Sequence, residues 1–178
     1  MCKEIVRSLP KPLPDDPAAL LEAICAHYTA KRGQRVRLML PAFPPGTVSG
    51  LWIKVVEENG AQEDLICVER NTSPSHQLVI LGHELYHMMM GNGDSSCTTH
   101  SGGAATARMR MLSSDLDVND AVKLVEAATA ARTDVDAGDE EAWAERCGLA
   151  MATALRTALE TAGPSSGVAG RIHRSLES

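Results

Sequence analysis

The sequence predicts a small α+β domain: a short three-stranded sheet, antiparallel in type, packed on one apolar helix, with further helices behind it. Three observations carry this. Segments near 35–40, 51–57 and 64–69 have the alternation and β-branched content of strands. "SPSHQLVILGHELYHMMMG" is a capped apolar helix, and "DEEAWAERCGLAMATALRTALET" repeats apolar residues at helical spacing. With 178 residues, 44% hydrophobic and 22% charged, the chain has enough material for one core. Aromatics are only 3%, so that core must be built from Leu, Ile, Val, Met and Ala.

Taken in order, residues 1–14 are Pro-rich and read as a flexible arm. Residues 15–162 read as a single domain, and 163–178 as a disordered tail. Asp15 or Asp16 can cap a helix with Pro17 in its first turn, continuing to Lys31 and closed by Gly33. "RVRLML", Arg35 to Leu40, alternates as a strand. "LWIKVVEENGAQEDLICVER" reads as a β-hairpin with arms Leu51–Glu57 and Asp64–Glu69 and the turn chemistry of Asn59-Gly60. Ser73 as N-cap and Pro74 at the first helical position start a helix over 74–90, which Gly91 would close. A polar Gly-rich loop follows, then a helix from about Val118 to Arg132 behind Asp117. A last helix, about Glu140 to Thr161, carries the stripe Trp143, Cys147, Met151, Leu155 and Leu159.

The net charge of -6 argues against direct nucleic-acid binding through a basic surface and against attraction to anionic membranes. No apolar run approaches the ~20 residues of a bilayer span. The opening "MCKEIVRSLPKPLPDDP" lacks the apolar segment of an export signal, so a cytoplasmic location is expected. Five widely spaced cysteines without a CxxC pair fit reduced thiols in that compartment. Composition leaves the oligomeric state open.

The chemistry concentrates in the helix. His83 and His87 lie one turn apart, so both imidazoles project from one face and can share an ion at the ~2.0–2.1 Å that zinc prefers. Glu84 sits beside them, free to act on a water without occupying a coordination position. This is the HExxH arrangement, two zinc ligands and a general base. Chance alone would place it in about one or two of a hundred chains of this composition. The alternative, a helix with two incidental histidines, sits poorly with the strong helix start and the apolar run Leu78–Leu81.

Zinc in such a site takes a third protein ligand. Glu141, Glu145 and His100 are candidates, followed by Asp94 and Cys97. A ligand on a packed helix is held more firmly than one in a Gly-rich loop. Glu141, Ala144 and Gly148 share a helix face whose small residues allow close approach. Other residues have plainer readings. His76 is an exposed first-turn histidine too far up the axis to bind the same ion. Tyr86 packs beside the helix, Met88, Met89 and Met90 fill the core, and Cys97-x-x-His100 belongs to a solvated loop. The acidic run before Glu141 suits a helix N-terminus.

"LVILGHELYHMMMG", followed by Glu141-x-x-Ala144-Glu145-x-x-Gly148, resembles the ImmA/IrrE family of small zinc-dependent peptidase-like proteins, whose pattern is HELGH and then E-x-x-A-x-x-F-A. "GLWI…DLICVERNTSPSHQLVILGHELYH" is similar to the same segment of family members encoded beside helix-turn-helix regulators. The likeness covers about Arg35 to Leu155. Tyr86 departs from the family's small residue, Cys147 and Gly148 replace its Phe-Ala pair, and the His87–Glu141 interval is longer. The resemblance implies a minimal zincin-like fold with His83, His87 and Glu141 as zinc ligands and Glu84 as base. It also implies a narrow protein substrate, such as a partner transcription regulator. The expectation is therefore a zinc metalloendopeptidase. Its rival is a non-catalytic zinc-binding regulatory or toxin–antitoxin-like interaction module on the same scaffold. A purely structural zinc would not need Glu84, which tilts the reading towards the enzyme.

Overall fold

A computed structural model of the chain describes residues 2–14, 16–45, 48–56, 60–90 and 138–161. The elements are α1 (Cys2–Ser8), α2 (Pro17–Arg32), β1 (Arg35–Met39), β2 (Gly50–Val56), β3 (Gln62–Val68), α3 (Pro74–Met90) and α4 (Gly138–Thr161). The expected helix 118–132, the loop with Asp94, Cys97 and His100, the helix stop at Gly91 and the tail 163–178 lie outside the described residues. None of the described helices is long and apolar enough to cross a membrane.

Local signals account for the helix starts. Asp16 is the N-cap of α2, accepting a hydrogen bond from the Ala19 N–H at 2.9 Å ahead of Pro17. Gly33 closes that helix at φ +67, a left-handed conformation that costs glycine little. At α3 the Ser73 hydroxyl accepts from the His76 N–H at 3.2 Å, with Pro74 next in the first turn. Gln77 reinforces the entry by donating to the Glu69 and Arg70 carbonyls. The α3 start is therefore tied to the end of β3.

The sheet corrects the antiparallel expectation. Its order is β1-β3-β2, with β2 antiparallel to β3 but β1 parallel to it. β3 takes the centre because Leu65, Ile66, Cys67 and Val68 are fully buried, a continuous apolar run suited to a strand covered on both faces. Trp52, Ile66, Val68 and Val36 join the core made with α2 and α3. Leu51, Ile53, Val55, Leu65 and Cys67 form a second cluster on the opposite face, under Phe43. β2 is left at an edge among the described residues. Cys25, Cys67 and Cys147 are reduced thiols. Burial pushes the first two up to about 12, so they act as packing groups and not as nucleophiles.

Two further expectations change. The Pro-rich opening holds α1 and not a loose arm: Ile5 and Leu9, one turn apart, are buried in the main core. In α4 the apolar stripe runs through Ala144, Met151, Leu155 and Leu159, while Trp143 is 57% exposed beneath Arg146 and Cys147 is only half-buried. The cause is the crossing of α3 and α4, the most extensive helix contact among the described residues. A Cβ on Gly148 would run into the Val79 carbonyl, and one on Gly82 would lie 2.8 Å from the Gly148 Cα. Two glycines facing each other draw the backbones together and turn the small side of α4 inward.

Candidate metal centre

The close crossing decides what the first turn of α4 can reach. Glu141 precedes Ala144 and Gly148 on the inward face, so its carboxylate arrives beside the α3 histidines. His83 and His87 present their Nε2 atoms to each other at 3.1 Å. Glu141 Oε1 lies 3.2 Å from His83 Nε2, and its Oε2 lies 3.8 Å from His87 Nε2. The three residues form a group whose ligand atoms all lie within 4.8 Å of one another.

These separations can be tested against coordination geometry. Four donors at ~2.0–2.1 Å around a tetrahedral ion stand about 3.3–3.4 Å apart. The observed 3.1, 3.2 and 3.8 Å straddle that value. The residues present therefore fit a tetrahedral cation with three protein donors.

The electrostatics point the same way. Burial pulls His83 down, but the hydrogen bond it donates to Glu141 and the negative charges of Glu84, Glu141 and Glu145 outweigh it, and the net shift is upward. A site that raises an imidazole in spite of burial is one that favours positive charge. His87 is more deeply placed and packs edge-on against Tyr86, with ring centroids 5.7 Å apart. Tyr86 thus has the packing role expected of it.

Glu84 is 4% exposed and lies on the sheet side of α3. Gly50, the first residue of β2, makes its room: a Cβ there would sit 2.6 Å from Glu84 Oε1 and hard against Ile80. The space beside Gly50 is thus filled by this carboxylate. The head of the edge strand and the glutamate of HExxH are therefore in contact.

Of the third-ligand candidates, the structure brings Glu141 to the histidines. Glu145 is exposed and stands outside the group, contributing only its charge. His76 is exposed, paired with the Thr72 hydroxyl at 3.1 Å. Met88 is buried as core filler, whereas Met90 is exposed. Two features escaped the sequence reading. Glu140, assigned only to the helix dipole, lies 3.5 Å from His87 Nδ1. The other is a buried cluster at the far end of α3. Asp64 accepts from Trp52 Nε1 at 2.9 Å and from Gln34 Nε2 at 3.0 Å, and pairs with Arg32 at 3.2 Å. Arg32 also donates to the Met88 carbonyl. Trp52 and Asp64 stand on neighbouring arms of the hairpin, paired in register with Ile66 and Lys54, so nothing in the pattern joined them in advance.

The chain has no match among protein families, curated proteins or solved structures.

Proposed function

We propose that this protein is a zinc metalloendopeptidase of the HExxH type, with a zincin-like fold of the ImmA/IrrE kind. One observation carries the reading: two imidazole nitrogens and a carboxylate converge at tetrahedral donor spacing, with a buried glutamate beside them. A mixed set of nitrogen and oxygen donors, two His and one Glu, suits zinc. His83, His87 and Glu141 would hold the ion. Bound there, zinc supplies Lewis acidity towards a water and the scissile carbonyl. Glu84 takes the proton of the attacking water and delivers it to the departing amine, so hydrolysis leaves one carboxyl and one amino terminus. Gly50, having no Cβ, leaves room for that carboxylate against the sheet. β2, an edge strand that begins at Glu84, can receive an extended peptide by main-chain hydrogen bonds. The family resemblance suggests a helix-turn-helix transcription regulator encoded nearby as the substrate.

The decisive experiment combines metal analysis of the purified protein with incubation against that regulator, followed by mass spectrometry of the products. Cleavage by zinc-loaded wild type and none by Glu84→Gln supports the peptidase. A second reading, the non-catalytic regulatory module, draws on the depth of Glu84, which leaves its carboxylate little contact with solvent. Stable binding of the regulator without cleavage, unaffected by Glu84→Gln, would decide for it.

A further inference from the structure

The first turn of α4 brings two consecutive carboxylates to the histidine pair. Successive helical residues point about 100° apart, so Glu140 and Glu141 cannot serve the same atom. Glu141 lies on the Nε2 side, between the two rings. Glu140 reaches round to the other edge of His87, with Oε1 at 3.5 Å from Nδ1. The His87 side chain is fully buried, whereas that of Glu140 is half exposed.

We infer that Glu140 is a positioning residue for the metal centre, holding the His87 ring through Nδ1 so that Nε2 faces the ion. The inference rests on the zinc reading above and extends it to a residue that makes no contact with the ion. A neutral histidine that gives Nε2 to a metal carries its proton on Nδ1, and a buried N–H calls for an acceptor. A carboxylate on that side selects this tautomer, fixes the ring plane and makes Nε2 a better donor. The acidic start of α4 thereby divides its work: Asp139 is exposed at the helix N-terminus, Glu140 orients a ligand and Glu141 ligates. Because Glu140 and Glu141 ride on one turn, the glycine crossing that delivers the ligand also delivers its support.

The test is zinc affinity, measured by competition with a chromophoric chelator for wild type, Glu140→Ala, Glu140→Gln, Glu145→Ala, Glu141→Ala and His87→Ala. Outer partners of metal-bound histidines are typically worth about 10–100-fold in affinity, and Glu140→Ala should weaken zinc by about that much. Glu140→Gln keeps an oxygen acceptor and should recover part of the loss. Glu145→Ala removes the same charge without the contact and should stay within about twofold of wild type, the spread expected of an exposed, solvent-screened charge. Nitrogen NMR of the zinc-loaded protein should show the His87 Nδ1–H signal moved by Glu140→Ala. Metal-free melting of the two Glu140 variants should stay close to wild type, since Glu140 is half exposed. Wild-type affinity in Glu140→Ala, with zinc still lost from Glu141→Ala, overturns the inference and leaves the zinc reading standing. Equal losses in Glu140→Ala and Glu145→Ala also overturn it, because the effect would then be general charge. If neither Glu141→Ala nor His87→Ala loses zinc, both readings fall.

Discussion

Two polar clusters flank α3, and they solve different problems. Around Asp64 a single carboxylate receives an indole N–H, an amide N–H and a guanidinium. Anion, cation and neutral donors balance there, and the cluster fastens β3 to the ends of α2 and α3. Around His83 and His87 the converging groups carry lone pairs: two imidazole nitrogens and the Glu141 carboxylate, with Glu84, Glu140 and Glu145 adding negative charge nearby. That set has the donors that a cation would complete. Buried polarity alone does not mark a functional site; the balance between donors and acceptors does.

The contrast breaks most sharply under ligand removal. His83→Ala and His87→Ala should each cost roughly 2.5–4 kcal/mol of zinc binding, a per-ligand share of the ~10–16 kcal/mol typical of four-ligand zinc sites. Wild type should carry close to one zinc per chain by elemental analysis and these variants none after dialysis. Zinc kept by the double variant would remove the distinction between the clusters. Of similar size on the catalytic side, Glu84→Gln should retain zinc while cleavage falls by about 10²–10⁴-fold, the usual worth of a general base. Parallel loss of zinc would make Glu84 a ligand.

Next comes the support beneath each cluster. Arg32→Ala strips the cation from buried Asp64 and a donor from the Met88 carbonyl, and should destabilise by about 2–3 kcal/mol. Its zinc stoichiometry should remain that of wild type. Gly148→Ala forces the helix crossing apart at Val79, with a cost of about 1–3 kcal/mol for overpacking. Unlike Arg32→Ala, it should also weaken zinc, because Glu141 rides on the displaced helix. Denaturant melts and chelator competition on both variants would show whether the two effects separate.

The smallest effect expected is a pH dependence confined to the Asp64 cluster. Burial pushes the Asp64 carboxyl above its ordinary 3.8, against the pull of the Trp52 hydrogen bond and of Arg32. A raised carboxyl in the folded state contributes stability below 3.8 and loses it as pH rises through the folded value. Asp64→Asn, which does not titrate, should therefore gain on wild type as pH climbs through that window towards neutrality. Melting of both proteins in metal-free buffer measures this, and a gap that stays constant with pH would place Asp64 at its ordinary value.

Much of the α3 side was readable in advance because its signals lie within a few residues of one another. Ser73, Pro74 and the spacing of His83 and His87 specify a helix start and a shared face without reference to the rest of the chain. The α4 side was only half readable. Glu141, Ala144 and Gly148 were visible as a small-residue face. The apolar stripe rule nevertheless turned Trp143 inward, and Gly82, the other half of the crossing, carried no signal of its own. Glu140 was hidden by an adequate local explanation, since acids at a helix start need no tertiary partner.

The sheet divides in the same way. The hairpin of β2 and β3 joins segments a few residues apart, and Gly60, at φ +83, has the left-handed backbone its turn asked for. Where β1 docks was beyond local reasoning. An antiparallel neighbour next in sequence was available, but β3 has the residues that tolerate cover on both faces, and β1 took its free side. Likewise Ile5 and Leu9 enter the core because an apolar surface was there to meet them, despite the prolines that follow. Element type, caps and the histidine pair are properties of short stretches, governed by backbone preference and helical period. Strand order, the inward face of α4 and the pairing of two carboxylates with two histidines depend on which surfaces bury each other. That depends on shape and volume summed over segments distant in the chain, and only the folded structure evaluates it.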